Sequence, residues 1–197
     1  MITIYGDRIS GNCLKVKWTA ERLVIPFVWI DIDVTKAETR TDEFLAMNPA
    51  GQVPTVRLED GRPLAQSNAI IVHLAWDSAL IPSDRYLRAK MFEWLFWEQY
   101  NHEPSLAVVR YRVKFLGQPR SEIDPALIHR AESALELMDK TLTGRRFLVG
   151  DTLTLADISL VAYTRFAHDG GFVLANYPAV DAWVSRVETE LPIEDPR

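Results

Sequence analysis

The stretch PAGQVPTVRLEDGRPLAQS, residues 49–67, decides the fold of the first part of the chain. Two apolar segments within it, residues 55–58 and 64–66, flank Glu59-Asp60-Gly61-Arg62. Asp-Gly is a strong hairpin signal, because both central positions of the turn need a positive φ, which Asp tolerates and Gly prefers. The stretch therefore predicts two antiparallel strands joined by a turn at Asp60-Gly61.

The segments on both sides of this hairpin alternate between strand and helix. Residues 2–5 and 27–32 predict two strands, because they are short and rich in β-branched and aromatic side chains. A short helix is predicted at residues 42–47, and Ser67 is predicted to cap a further helix. With a helix between the first two strands, the order is β-α-β-α-β-β-α. This is the thioredoxin-like arrangement, a parallel strand pair extended by an antiparallel hairpin.

The helix between the first two strands is predicted to have one apolar face. Cys13, Val16, Ala20 and Leu23 recur at spacings of three and four residues. We therefore predict that Cys13 is buried on this face, where a free cysteine behaves as a small hydrophobe. The charged residues of the segment are predicted to lie on other faces: Lys15, Lys17, Glu21 and Arg22.

From residue 84 onward, every predicted element has helical period. Pro104 has no amide hydrogen and is predicted to start or kink a helix. The predicted fold class is therefore α/β plus all-α. A thioredoxin-like domain is expected over residues 1–78 and a C-terminal helical bundle over residues 84–197, with a linker between them.

The composition argues against several classes of protein. The chain has 197 residues and a net charge of −5 with scattered basic residues, which argues against nucleic-acid binding. Its apolar runs fall short of the roughly 18 residues of a membrane span, so no membrane partner is expected. A single cysteine is compatible with a reducing compartment, and we expect a cytoplasmic protein. The four histidines lack metal-ligand spacing, so no metal is expected.

Ser10-Gly11-Asn12-Cys13 lies at the turn into the first helix. It has the spacing of a redox Cys-x-x-Cys pair in which serine replaces the first cysteine. Such a site cannot cycle a dithiol, but a hydroxyl group and helix N-terminal amides both stabilise the thiolate of a bound ligand. The alternative is that Ser10 is a plain helix cap.

Two further segments are candidates for ligand contact. A cis Val53-Pro54 bond would turn the Val53 backbone towards a peptide ligand, whereas the alternative is an ordinary edge-strand proline. Gln66-Ser67 precede a helix whose free amides suit a carboxylate, and the alternative is again a serine cap.

Together these segments resemble the cytosolic glutathione transferase family, and the resemblance covers essentially the whole chain. Ser10 and Asn12 resemble the serine or threonine catalytic element of theta-like and bacterial nu-like members. Val53-Pro54 is similar to the cis-proline dipeptide whose backbone pairs with the cysteine of glutathione. Gln66-Ser67 is similar to the pair that holds the γ-glutamyl group.

The helical part carries a fourth match. Residues 153–158 resemble the buried capping box of the family, in which Thr154 would cap a helix and Asp157 would reach back to it. Leu153 and Ile158 would pack together as a hydrophobic staple. Thr154 and Asp157 are therefore expected to form a structural cap.

The resemblance implies an enzyme that conjugates the glutathione thiolate to small apolar electrophiles, a detoxification reaction. Glutathione would be the co-substrate, without a metal, and the helical domain would form the electrophile pocket. The implied catalytic residues are Ser10 and Asn12, with Ser10 donating a hydrogen bond to the glutathione sulfur. The implied glutathione-binding residues are Gln52, Val53, Pro54, Gln66, Ser67, Thr39 and Lys36, and the implied second-substrate residues are Ile9, Tyr100, Val108, Arg110 and Tyr111.

Two details of glutathione recognition need separate mention: the residue that binds the glycine carboxylate, and the glutamine at position 66. Lys36, Thr39 and Arg40 are all in reach of the glycine carboxylate, and Thr39 and Lys36 are the preferred candidates. Gln66 stands where many relatives have glutamate, so an acidic residue of a partner subunit could bind the γ-glutamyl ammonium instead.

The resemblance further implies a homodimer, since relatives form their sites at a subunit interface. Two alternative functions use the same fold. One is a glutathione-dependent disulfide reductase or peroxidase, which would use the same Ser10 and Asn12. The other is a non-catalytic interaction module, which is expected to lose the glutathione motifs that this chain retains.

Overall fold

A computed structural model describes residues 1–193 of the chain. The chain divides into two compact units, Met1–Ile81 and Pro82–Arg197. The first contains a sheet with helices and the second is helical. The predicted fold class, a thioredoxin-like domain followed by a helical domain, is confirmed.

The first unit is built on a four-stranded sheet in the order β2-β1-β3-β4. β1 pairs with β2 in parallel, whereas β3 is antiparallel to both β1 and β4. Ile4 of β1 lies opposite Val56 of β3, and both side chains are fully buried. The strands span Ile2–Gly6, Phe27–Asp31, Thr55–Arg57 and Pro63–Ala65.

Three α-helices belong to this unit, and α1 packs against α3. Their apolar sides are buried, as Val16 of α1 and Ile70 and Ile71 of α3 show. Two 3-10 turns, Val34–Lys36 and Glu38–Arg40, lie between β2 and α2. The helices are α1 at Gly11–Arg22, α2 at Asp42–Met47 and α3 at Ser67–Leu74.

The β3–β4 hairpin forms where the sequence predicts it, but its turn is different. Gly61 has a φ of +86°, whereas Asp60 keeps a negative φ. The turn is instead closed by the Leu58 amide donating to the Arg62 carbonyl at 2.9 Å. The Asp60 carboxylate accepts the Arg62 amide at 3.0 Å. The predicted two-residue turn is therefore wrong, because the Asp60 side chain stabilises a longer loop.

The predicted polar side of α1 is also partly wrong. Lys15 is fully buried, with an exposed fraction of 0%. Lys17 follows the prediction only in part, since it is half-buried and pairs with the half-buried Glu21 at 2.7 Å along the helix. A 3.6-residue period places Lys15 beside the apolar stripe, so packing against α3 can cover it.

The second unit begins with a helical segment that runs without a break from Arg85 to Phe115. Pro104 was expected to start or kink a helix, but it lies inside a π-helical stretch, Glu98–Ala107. A wider turn of this kind is one way in which a helix continues through a residue without an amide hydrogen. The segment comprises α4 at Arg85–Trp97, the π-helix Glu98–Ala107, α5 at Val108–Arg110 and the π-helix Tyr111–Phe115.

Three further α-helices complete this unit, with 3-10 turns between some of them. All ten residues of α7 are buried, so this helix forms the centre of the unit. Among residues 1–193, no helix is both long enough and apolar enough to cross a bilayer. The helices are α6 at Pro125–Leu142, α7 at Leu155–Thr164 and α8 at Pro178–Glu190.

Candidate functional site

Ser10 lies at the turn between β1 and α1, in the N-cap position of the helix. Its backbone is extended, with φ −82° and ψ 116°. Its side chain makes no hydrogen bond to the helix amides. Ser10 therefore does not act as a plain side-chain cap, and its hydroxyl lies at the N-terminus of α1.

Cys13 is fully buried in α1, as predicted. The Asp7 amide donates to its Sγ at 3.4 Å. Burial raises the pKa of the Cys13 thiol to about 11, although the hydrogen bond with Ser10 opposes the rise. The group is therefore a neutral thiol at pH 7 and is poorly suited to act as a nucleophile.

Asn12, the other predicted catalytic residue, links α1 to α3. Its Oδ1 accepts the Lys15 ammonium at 2.8 Å and the Ser67 hydroxyl at 3.0 Å. The sequence analysis did not assign Lys15 to the site. Lys15 lies three residues after Asn12 on α1, and side chains at this spacing contact each other on a helix, so the contact could have been predicted.

Gln66 and Ser67 lie at the start of α3. Ser67 is the first helical residue, so it does not cap the helix as predicted, and its buried hydroxyl donates to Asn12. Gln66 takes the N-cap position with a φ of +69° and an exposed side chain. A non-glycine residue in this region is strained, and such strain is concentrated at ligand sites.

The loop before β3 presents the Val53 backbone. The Val53-Pro54 peptide is cis, as predicted. The Asn48 side chain supports the loop by donating to the Gln52 carbonyl at 2.7 Å and to the Thr55 hydroxyl at 3.1 Å. Among residues 1–193, neither the N–H nor the C=O of Val53 has a hydrogen-bond partner. Both groups can therefore pair with the backbone of a peptide ligand.

The two preferred carboxylate-binding residues lie in different environments. Thr39 is buried. Lys36 is exposed and pairs with Asp33 at 3.0 Å. Hydrogen bonds from Thr35 and Lys36 lower the pKa of Asp33 to about 2, so the Lys36 ammonium already has an anionic partner.

Arg40 contacts the loop that leads to the cis-proline. Its Nη1 lies 3.5 Å from the Ala50 carbonyl oxygen. A Cβ atom at Gly51 would lie 2.5 Å from the same nitrogen, and Gly51 has a φ of +61°, so glycine is favoured here. Arg40 is therefore the cation of this segment that lies against the Gly51–Pro54 loop.

The predicted second-substrate residues differ in exposure. Tyr100 is 77% exposed and Ile9 and Tyr111 are also exposed, whereas Val108 is half-buried. Arg110 is buried in the helical unit and pairs with Asp169 at 3.1 Å. Its guanidinium also lies 4.3 Å from the centre of the Phe166 ring. This environment shows an internal structural role for Arg110.

The helical unit contains a cavity of about 600 Å³ with two tryptophans in its wall. None of the five predicted second-substrate residues lines it. It is therefore distinct from the predicted electrophile pocket. Its lining includes Leu87, Trp94, Trp97, Leu137, Arg145 and Leu148.

Asp157 is fully buried at the first turn of α7 and accepts four hydrogen bonds. The Leu148 amide and the Trp183 indole donate to Oδ1, each at 2.9 Å. The Thr154 amide and hydroxyl donate to Oδ2, each at 2.9 Å. Burial raises the pKa of the Asp157 carboxyl, and the donated hydrogen bonds oppose the rise. The residue joins the start of α7 to α8 and to the segment before α7.

Within the described chain, no group of three or more His, Cys, Asp or Glu residues is placed to hold a metal ion. The buried His102 lies 2.9 Å from the Thr164 hydroxyl through its Nε2.

Two family models match the chain. The glutathione S-transferase N-terminal domain matches residues 9–75, and the glutathione S-transferase C-terminal domain matches residues 101–190. Among curated proteins, glutathione S-transferase theta-1 of Mus musculus is 30% identical over 95% of this chain and 82% of that protein.

Solved bacterial structures are more similar in sequence. A glutathione S-transferase from Pseudomonas fluorescens is 43% identical with a TM-score of 0.92, covering 95% of this chain and 94% of that chain. One from Xanthobacter autotrophicus is 40% identical with a TM-score of 0.92, covering 100% of this chain and 96% of that chain. The likeness extends over both units.

Proposed function

Because this chain belongs to the glutathione S-transferase family, we propose that it conjugates the thiolate of glutathione to small apolar electrophiles in the cytoplasm. The observation that carries the proposal is the Ser10 hydroxyl, which lies at the N-terminus of α1 and makes no capping hydrogen bond to the helix amides. In the proposed complex this hydroxyl donates to the sulfur of glutathione. The Asn12 side-chain amide is the reserve donor.

The energetics of this arrangement are sufficient for thiolate formation. A free thiol has a pKa of about 8.5, so a thiolate at neutral pH requires a shift of about two units, or about 2.7 kcal/mol. A hydrogen bond to a charged group contributes about 1.5–3 kcal/mol, and a helix N-terminus about 0.3–1 kcal/mol. Ser10 and the α1 amides together reach the required value without a histidine base.

The remaining glutathione groups have matching partners in the first unit. The unpaired Val53 backbone groups suit the cysteine residue of glutathione, next to Gln52 and Pro54. The amides at the start of α3, with Gln66 and Ser67, suit the γ-glutamyl carboxylate. In the helical unit, Tyr100, Val108 and Tyr111 are the proposed electrophile contacts.

The proposal is tested first by titrating the protein with glutathione in a calorimeter. We expect a dissociation constant in the micromolar to millimolar range. Ser67→Ala should raise it by about 10- to 100-fold, because it removes one charge-assisted hydrogen bond. Ser121→Ala, at an exposed serine of the helical unit, is the matched control. If the wild-type protein gives no heat with glutathione, the catalytic proposal fails.

A panel of electrophile, hydroperoxide and disulfide substrates then separates transferase activity from the two redox alternatives. Turnover of electrophiles well above that of the other two classes is the expected result. The opposite order would assign the site to a disulfide reductase or peroxidase.

For the glycine carboxylate of glutathione, Arg40 is a better candidate than Lys36 or Thr39. Its guanidinium lies against the Gly51–Pro54 loop, whereas Lys36 is paired with Asp33 and Thr39 is buried. Arg40→Ala should therefore raise the dissociation constant for glutathione by about tenfold, and Lys36→Ala by less than about twofold.

Glutathione monoethyl ester, whose glycine carboxylate is blocked, provides the control ligand for this assignment. Arg40→Ala and the wild-type protein should bind the ester equally. A loss of ester affinity as large as the loss of glutathione affinity would show that Arg40 acts on another group.

We further propose that the enzyme is a homodimer. Phe96 and Tyr100, on successive turns of the first long helical segment, are 74% and 77% exposed. Aromatic residues exposed to this extent are enriched in subunit interfaces. Sedimentation at micromolar concentration should therefore give about twice the 22.5 kDa mass of the chain.

The double variant Phe96→Glu/Tyr100→Glu should weaken this dimer by at least about 100-fold, because it buries charges in the proposed interface. Val173→Glu is the matched control, since Val173 is another exposed apolar residue of the helical unit. A wild-type mass near 22.5 kDa would contradict the homodimer.

A further inference from the structure

Lys15 is a lysine of α1 with an exposed fraction of 0%. Removing an ammonium group from water is costly unless hydrogen bonds replace the lost hydration. In this chain the ammonium donates to Asn12 Oδ1 at 2.8 Å. An apolar side chain of similar length would fill the same space without the cost of burying a charge. The presence of a lysine beside a predicted ligand site therefore needs an explanation other than packing.

The ammonium determines how the neighbouring polar groups are oriented. It has three donors and no acceptor, so the atom of Asn12 that faces it must be the side-chain oxygen. The same oxygen lies 3.0 Å from Ser67 Oγ. An amide oxygen is only an acceptor, so the Ser67 hydroxyl points its hydrogen towards Asn12, and its oxygen is left to accept a charge-assisted hydrogen bond from the γ-glutamyl ammonium of the ligand. Lys15, Asn12 and Ser67 thus form a hydrogen-bonded chain from α1 to the start of α3.

The hydrogen-bonded chain ends at Ser67, the residue proposed to bind the γ-glutamyl group. Ser67 is the first residue of α3, and the strained Gln66 precedes it. The rotamer of a serine side chain is weakly restrained by packing alone, because the group is small. The bond to Asn12 therefore sets where Ser67 Oγ lies when the ligand arrives.

We propose that Lys15 is a positioning residue for glutathione: through Asn12 it fixes the Ser67 side chain at the γ-glutamyl subsite, and its buried positive charge favours the ligand carboxylate there. The inference rests on the proposed function, since it assumes that glutathione is the ligand. Lys15 acts through Asn12 and is not itself a catalytic residue. It should therefore affect the binding of glutathione more than the chemistry at its sulfur.

The test compares Lys15→Met, which keeps the length of the side chain and removes its charge, with Lys17→Met. Lys17 lies on the same helix, is half-buried rather than fully buried, and pairs with Glu21 instead of Asn12, so it is a matched control. We expect Lys15→Met to raise the calorimetric dissociation constant of glutathione by about 10- to 100-fold and Lys17→Met by less than about twofold. Turnover at saturating glutathione should stay within about threefold of the wild-type value for both variants.

A double variant distinguishes positioning from a general loss of structure. If Lys15 acts through Ser67, adding Ser67→Ala to Lys15→Met should cost less than about twofold in further affinity, because both changes remove the same interaction. Two independent losses that multiply would overturn the proposal. A dissociation constant of Lys15→Met within about twofold of the wild-type value would also overturn it.

Should Lys15→Met fail to fold, Asn12→Ala decides the question, because it breaks the same hydrogen-bonded chain at its middle. It should raise the dissociation constant by about 10- to 100-fold, and an unchanged constant would overturn the proposal. A wild-type protein that does not bind glutathione would instead overturn the proposed function, and this inference with it.

Discussion

Replacing Asp157 by alanine is expected to lower the free energy of unfolding by about 3–5 kcal/mol. The carboxylate accepts hydrogen bonds from the Leu148 amide, the Trp183 indole, and the amide and hydroxyl of Thr154. Each buried donor left without a partner costs about 1–3 kcal/mol, and the costs overlap because the groups share one small space. Chemical denaturation followed by tryptophan fluorescence measures the loss.

Asparagine is expected to be nearly as harmful as alanine at this position. Both carboxylate oxygens of Asp157 face only donors. An asparagine amide would place its own NH₂ group against one of the two donor pairs, whichever way it turned. Asp157→Asn should therefore lose at least about 2 kcal/mol, although it changes the size of the side chain very little.

Asp124→Ala is the matched control for both variants. Asp124 is also at a helix start, but its side chain is exposed and accepts the Ala126 amide at 2.9 Å. An exposed cap of this kind is worth about 0.5–2 kcal/mol. Activity per folded molecule should be close to wild type in all three variants. Equal losses in Asp157→Ala and Asp124→Ala would show that the buried hydrogen bonds add nothing to an ordinary cap.

The sequence is sufficient to predict those parts of the fold that depend on local pattern. The β3–β4 hairpin, the apolar face of α1 and the α7 cap follow from the spacing of a few residues, and the structure has all three. The turn of the hairpin was predicted less well. Its conformation depends on the Asp60 side chain binding Arg62, and a dipeptide signal does not include that contact.

Burial of charged side chains could not be predicted from periodicity. A lysine is assigned to the solvent side because of its charge, yet Lys15 lies beside the apolar stripe of α1 and is buried with Asn12 as its acceptor. Arg110 is a similar case, since its partner Asp169 lies 59 residues away along the chain. Contacts of this kind depend on which helices meet, and a single sequence does not determine this.

The residues of the candidate site also fall into two groups, those that local sequence pattern locates and those that only tertiary contacts locate. Ser10, Val53-Pro54 and Gln66-Ser67 are placed by strand and helix ends, which local pattern locates. Arg40 is the last residue of the second of two short 3-10 turns, whose geometry has no periodic signal, so its place against Gly51 appears only in three dimensions.

Ser10→Ala is expected to reduce turnover at neutral pH by about 10- to 100-fold and to raise the thiol pKa of bound glutathione by about one to two units. The variant removes the proposed hydrogen bond to the sulfur and leaves the α1 amides in place. The pH profile of turnover and the ultraviolet absorbance of the bound thiolate measure the two effects. Ser10→Thr, which keeps a hydroxyl group, should restore most of the activity.

The pH dependence follows from the direction of this shift. A higher thiol pKa means that less of the bound glutathione is thiolate at pH 7, and the difference disappears once the pH exceeds both pKa values. The loss in Ser10→Ala should therefore shrink as the pH rises. A loss that stays constant with pH would show that Ser10 positions the ligand without changing its ionisation.

Cys13 supplies the comparison that separates thiolate stabilisation from covalent redox chemistry. Its thiol is fully buried, accepts the Asp7 amide, and has a pKa that burial raises to about 11. Cys13→Ala should leave turnover within about threefold of wild type and lower the unfolding free energy by about 1 kcal/mol through lost packing. Adding Asn12→Ala to Ser10→Ala should reduce the residual activity further if its amide is the reserve donor. If Cys13→Ala instead abolishes activity while Ser10→Ala is harmless, the reaction proceeds through a mixed disulfide with glutathione, and Ser10 serves only to hold the cysteine.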